Sequence, residues 1–101
     1  MTTEDRKIFR KALDTFGADM QVLVAIEELS ELQKELCKNR RGRENQTNIA
    51  EEIADVQIMI EQMMMLYDCE KMVDKRFNQQ RRIWLLQESR IHIDWMFTDS
   101  G

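Results

Sequence analysis

Proline is absent from the 101 residues, and glycine occurs only at Gly17, Gly42 and Gly101. Short strands joined by tight turns need turn residues at frequent intervals, so this shortage argues against an all-β fold. Cysteine is scarce too: Cys37 and Cys69 are isolated, too few for a zinc site or a disulfide framework. A reduced, cytoplasmic protein is the default expectation. No run of about 18 apolar residues exists, so no membrane span is expected. The residues Met1 to Lys7 lack an apolar region following a basic one, so no secretory signal is expected either. Positive charge is outweighed, with a net charge of −4 and a pI near 5.0. That balance argues against binding of polymeric nucleic acid, because phosphate contacts need a positive field. An acidic chain can still bind a small polyphosphate through a metal ion.

What is present points to long amphipathic helices. Charged residues make up 34% and hydrophobic residues 43%, the latter rich in Leu, Ile and Met. The expectation is a single all-α domain over residues 1–101, bundle-like with four helices and an extra apolar segment at its end. A first helix is expected over Thr3 to Thr15, with Thr3 as N-cap, acidic Glu4 and Asp5 in the first turn, and Gly17 as the stop. A second runs from Ala18 to Asn39, with Ala18, Val22, Ala25, Leu29, Leu32 and Leu36 as its apolar stripe. Gly42 ends it, and the polar run to Asn48 reads as a mobile loop. A third starts near Thr47 or Asn48 and carries Ile49, Ile53, Val56, Ile60, Met63, Met64 and Tyr67 on one face. A fourth spans Glu70 to Arg90, with Val73, Phe77 and Trp84 recurring on one face. The segment Ile91 to Gly101, with Ile93, Trp95, Met96 and Phe97, is too apolar for a free tail and is expected to pack on the bundle or on a neighbouring chain. A modest core of this kind is often enlarged by self-association.

Two segments share a local pattern. Ile26-Glu-Glu-Leu-Ser-Glu-Leu32 and Ala50-Glu-Glu-Ile-Ala-Asp-Val56 each place two adjacent acids before a third, three residues on. Glu28 and Glu31 lie on neighbouring turns of one helix face, and Glu52 and Asp55 do the same on the next helix. Glu-x-x-Glu is common on solvated helix faces, so the spacing alone decides little. The apolar residues that flank these acids are what mark the edge of a buried groove. Four like charges brought together by two antiparallel helices would destabilise the fold without a cation. Oxygen-only ligands favour magnesium, manganese or calcium over zinc or copper. Helix-borne carboxylates that leave room for water suit Mg²⁺, with Mn²⁺ as its substitute. Di-iron bundles pair their carboxylates with Glu-x-x-His; the single histidine, His92, does not follow a glutamate by three and reads as a surface or packing residue.

At these residues the chain resembles the all-α nucleoside triphosphate pyrophosphohydrolases of the MazG-like superfamily. The resemblance is carried by Glu27-Glu28-Leu-Ser-Glu31, a gap of twenty residues, and Glu52-Ile-Ala-Asp55. The wider run from Gly17 to Gln62, including Gln21, Leu32-x-Lys34 and Arg41, is similar to small phage and prophage members. The resemblance implies Mg²⁺-dependent hydrolysis of a nucleoside triphosphate to monophosphate and pyrophosphate, by a homodimer or homotetramer. It implies that Glu28, Glu31, Glu52 and Asp55 hold the metal and that Glu27 orients water or supports the ligands. The outer phosphates would meet Lys34, Lys38, Arg41, Lys75 and Arg82, and Gln21 would contact sugar or base. For Lys38 to Arg43, a solvated helix end favoured by the helix dipole is an equal reading, as is packing for Gln21. Trp84, Phe77 and the Met59, Met63, Met64, Met65 cluster read as core or subunit interface. A non-catalytic helical interaction module is the competing expectation: it would use the same amphipathic helices and tolerate neutralised acids.

Overall fold

A computed structural model describes the backbone of residues 1–98 and the side chains of residues 1–87. The described residues form four helices and no strand: α1 (Thr3–Phe16), α2 (Ala18–Arg40), α3 (Gln46–Leu66) and α4 (Glu70–Thr98). The chain is all-α. It divides into two compact units, Met1–Asp68 and Cys69–Gly101. No helix among the described residues is long and apolar enough to cross a membrane.

Each helix end has an identifiable cause. The cap of α1 is Thr2 rather than Thr3. Its Oγ1 accepts from the Asp5 N–H at 3.0 Å, while its own N–H donates to Asp5 Oδ2 at 3.0 Å. This reciprocal box satisfies two N–H groups that the first turn leaves orphaned, and its hydrogen bonds hold the Asp5 carboxyl below its usual range. At Gly17 the backbone takes φ 87°, a value that a side chain makes strained, and its N–H donates to the Leu13 carbonyl at 2.9 Å. The chain turns there and re-enters a helix at once.

Between α2 and α3 the chain is fastened rather than loose. The Gly42 and Arg43 N–H groups return to the Asn39 and Lys38 carbonyls at 3.0 and 3.2 Å, with Gly42 at φ 101°. Asn39 Nδ2 donates to the Arg43 carbonyl and to Asn45 Oδ1, both at 3.3 Å. Asn45 is buried and stands at the N-cap position of α3, but its side chain makes no cap bond. It reaches back to Glu35 on α2, donating to the Glu35 carbonyl at 2.9 Å and to Glu35 Oε2 at 2.6 Å. The helix begins at Gln46, ahead of the expected Thr47 or Asn48, and the loop read as mobile carries a buried amide anchor.

In the first unit α2 and α3 pack antiparallel along most of their length, and α1 lies against both. The buried apolar residues are Leu13, Ala25, Val56 and Met59, and they are matched by buried Gln21, Glu35, Asn45 and Gln62. Half of this interior is polar, so hydrogen bonding decides its register as much as apolar area does. The inward face of α2 runs Gln21, Ala25, Glu28, Leu32, Glu35, whereas Leu29 and Leu36, expected inside, are 52% and 47% exposed. On α3, Val56, Met59 and Gln62 are buried, while Ile53, Ile60 and Tyr67 of the expected stripe are exposed. In the second unit, Val73, Phe77 and Trp84 of α4 are exposed. The readings made for His92, Ile93, Trp95, Met96 and Phe97 fall on side chains outside the described residues.

Candidate metal centre

The α2–α3 interface holds three polar layers one heptad apart. Gln21, Glu28 and Glu35 recur every seven residues on α2, and Asn48, Asp55 and Gln62 recur every seven on α3. Antiparallel packing sets them opposite one another. In the first layer Gln21 Nε2 donates to Gln62 Oε1 at 2.6 Å, buried from solvent. In the third, Glu35 accepts from Asn45 at 2.6 Å and from Lys38 Nζ at 3.3 Å. The Asn45 hydrogen bond is the main cause that holds the Glu35 carboxyl below its usual range, against the opposing effect of burial, with help from Lys38 and Asn48. Both outer layers have donors for their acceptors.

The middle layer has none. Glu28 from α2 meets Glu52 and Asp55 from α3, and one carboxylate oxygen of each lies within 4.8 Å of the others. Glu28 and Glu52 are half-buried and Asp55 is open to solvent. Among the described residues, Glu52 Oε2 is the buried side-chain oxygen without a hydrogen-bond partner. The Glu28 carboxyl is pushed above its usual range, first by burial and then by its contact with the Glu52 carboxyl, which favours a proton between them. The negative charges of Asp55, Glu52 and Glu31 add to this. A layer made only of acceptors needs a proton or a cation.

The donor set fits a hard divalent ion. Three carboxylates supply oxygens alone, which suits Mg²⁺ or Mn²⁺ over softer metals. Oxygens around one Mg²⁺ lie at most about 4.2 Å apart, so small side-chain rotations close the present spread. A cleft of about 170 Å³, lined by Val24, Glu28, Asp55, Ile58 and Met59, leaves room for water beside the carboxylates. Larger clefts of about 460 and 540 Å³ run along α1, but Glu28, Glu52 and Asp55 line neither. The acidic trio and these larger clefts do not coincide.

The other sequence-derived site residues fall in different places. Glu31 lies outside the trio, exposed, with its carboxylate 3.7 Å from Lys34 Nζ. Glu27 is exposed. Lys38 is drawn to Glu35, and the Gln21 amide is committed to Gln62. Arg41 is exposed just past the end of α2. Lys75 and Arg82 are exposed on α4, in the second unit. Sequence reasoning passed over Glu35, Asn45, Asn48 and Gln62. The signal that finds Glu35, Asn48 and Gln62 is the paired polar heptad, 21/28/35 against 48/55/62, which a search for apolar stripes reads past; Asn45 lies outside it.

No family model, curated protein or solved structure matches this chain. The likeness to the MazG-like enzymes therefore stands on the residues of the two acidic motifs.

Proposed function

We propose that the chain is a Mg²⁺-dependent nucleoside triphosphate pyrophosphohydrolase of MazG-like type, acting on ribo- or deoxynucleotides as a housecleaning enzyme. The observation that carries this reading is the buried, unpartnered oxygen of Glu52, set among acids contributed by both motifs. A bundle that satisfies its other buried polar layers, yet leaves this one without a donor, is suited to receive a cation there. When bound, Mg²⁺ supplies neutralisation of the triphosphate oxygens and polarisation of the bond to be broken. Glu28, Glu52 and Asp55 would hold the ion, the first two half-buried and Asp55 open to solvent. Glu31, one turn beyond Glu28, would be the fourth ligand on leaving its contact with Lys34. Glu27 orients the attacking water. Lys34, on the solvent side of α2, and Arg41, just past its end, meet the phosphates.

The exposed apolar residues support self-association as a dimer or tetramer. Leu23, Ile26, Ile53 and Ile60 on the first unit and Phe77, Trp84 and Leu86 on α4 present more apolar surface than a solitary chain of this size needs. The same surface is what favours the rival reading, a helical interaction module without catalysis. A direct assay separates the two. The chain is incubated with each NTP and dNTP and Mg²⁺, and pyrophosphate is measured. Release of pyrophosphate that is lost in Glu52→Gln supports the enzyme. No release from any nucleotide, together with a melting temperature indifferent to Mg²⁺, leaves the interaction module.

A further inference from the structure

The outer layers do more than fill the interface. An antiparallel helix pair that slips by one heptad, about 10.5 Å along the axis, keeps each helix's inward face inward, so burial alone does not forbid it. One such slip sets Glu28 opposite Asn48 and Gln21 opposite Asp55. Glu28 and Asp55 then each face an amide donor, and the like-charge contact vanishes. The carboxylates thus oppose the register that brings them together. Against them stand two amide layers at the two ends: the Gln21–Gln62 bond at 2.6 Å, and Asn45 holding the start of α3 to Glu35 at 2.6 and 2.9 Å. Both are buried, where a broken hydrogen bond has no water to replace it.

We propose that Gln62 and Asn45 are positioning residues, which lock the α2–α3 register and so hold Glu28 against Glu52 and Asp55 for metal binding. This rests on the reading of that trio as a metal site. Buried polar residues fix register in other helical assemblies at some loss of stability. Here the quantity protected is the geometry of a site between the two locks.

The test replaces the amide pair in the full chain by a near-isosteric apolar pair, Gln21→Met with Gln62→Met. Loss of a purely structural contact would lower stability. In the Met pair, loss of a register lock leaves helicity and melting temperature unchanged or raised, while Mn²⁺ affinity, read by electron paramagnetic resonance, falls about tenfold. Spin labels at Gln33→Cys and Glu51→Cys, both exposed positions, report the register itself in a Cys37→Ser, Cys69→Ser background. One distance is expected in the parent and a second, displaced population in the double variant. Asn45→Ala, which releases the other end, should give the same second population and serves if the Met pair does not fold. A folded double variant with parent-like Mn²⁺ affinity and a single distance overturns the proposal. Absence of Mn²⁺ binding in the parent overturns the metal reading instead, and the label distances then decide the register claim alone.

Discussion

Glu28 and Glu35 sit seven residues apart on the same inward face of α2, against the same partner helix, and their environments act on them in opposite directions. Glu35 is the more buried, yet its charge is stabilised: the Asn45 amide donates to it and Lys38 stands beside it. Glu28 is half-buried and its charge is resisted, first by that burial and then by Glu52 and Asp55, which face it. Burial raises both carboxyls, so the supply of donors decides why one ends above its usual range and the other below. One carboxylate is a structural fastener complete in itself, and the other belongs to a layer that something else must complete.

The largest effect that can break this contrast is at Glu52. Replacing it with glutamine puts an amide donor between Glu28 and Asp55, making the middle layer resemble the third. Mg²⁺-dependent pyrophosphate release should fall by more than about a hundredfold, beyond the loss expected for an outer support of a metal site. Helicity should be retained. The metal-free variant should gain on the order of 1 kcal/mol through the new hydrogen bond and the relief of repulsion. An active Glu52→Gln chain would return the trio to the status of an ordinary acidic cluster.

Next in size is the response to the ion. At about a hundred times its Kd, Mg²⁺ should stabilise the folded chain by about 2.7 kcal/mol, a rise on the order of 10 °C for a chain of this length. Differential scanning fluorimetry on the parent and on Glu52→Gln checks it, since the variant should show no rise. At the third layer the corresponding lesion is Asn45→Ala. It leaves a buried carboxylate without its main donor and frees the start of α3, so melting should drop by several degrees without metal present. Equal sensitivity of the two layers to Mg²⁺, or none to Asn45, would erase the distinction between them.

How far this contrast was readable beforehand differs between its two halves. The acids of the trio were legible because residue type and local spacing mark them: Glu28 in one motif, Glu52 and Asp55 in the other, on two helices bound to meet. Their helices were legible too, from Gly17 and Gly42 as breaks and from the length of the apolar periodicity. The orientation of α2 was not. An apolar stripe is assumed to face the core, which points to Leu29 and Leu36, but the interface pairs polar layers and leaves those leucines outward. Gln21 and Gln62 are 41 positions apart, and nothing local to either announces that they will bond. Asn45 read as a loop residue because its purpose lies ten positions back, on Glu35. The polar heptads mark which residues turn inward, but not which residue of the other helix each will meet.

Acidity gives a smaller effect, but one of opposite sign in the two layers. The folded value of Glu28 lies above its ordinary 4.5, so the folded, metal-free chain binds that proton more tightly than the unfolded chain. Its contribution is full below 4.5 and is lost as pH rises through the raised value. Glu35 lies below 4.5 when folded; its contribution is present above 4.5 and is lost as pH falls through the lowered value. Urea midpoints across the acidic range, for the metal-free parent against Glu28→Gln and Glu35→Gln, should therefore show difference curves that slope in opposite directions. Parallel curves would mean that the two layers are electrostatically alike.

The smallest expected change concerns Glu31 and the basic residue beside it. Their pair is exposed and 3.7 Å long, with side-chain exposures of 49% and 59%, so Lys34→Ala should alter stability by less than about 0.5 kcal/mol. Its informative consequence lies in binding. Removing the lysine frees Glu31 and deepens the negative field around Glu28, so Mg²⁺ affinity should rise slightly, by less than about threefold. If Lys34 also meets phosphate, the same change should raise KM for the nucleotide. Tighter metal with weaker substrate would join Glu31 to the trio and give Lys34 its separate role. An unchanged metal affinity would confine the site to Glu28, Glu52 and Asp55, the three acids that the middle layer already brings together.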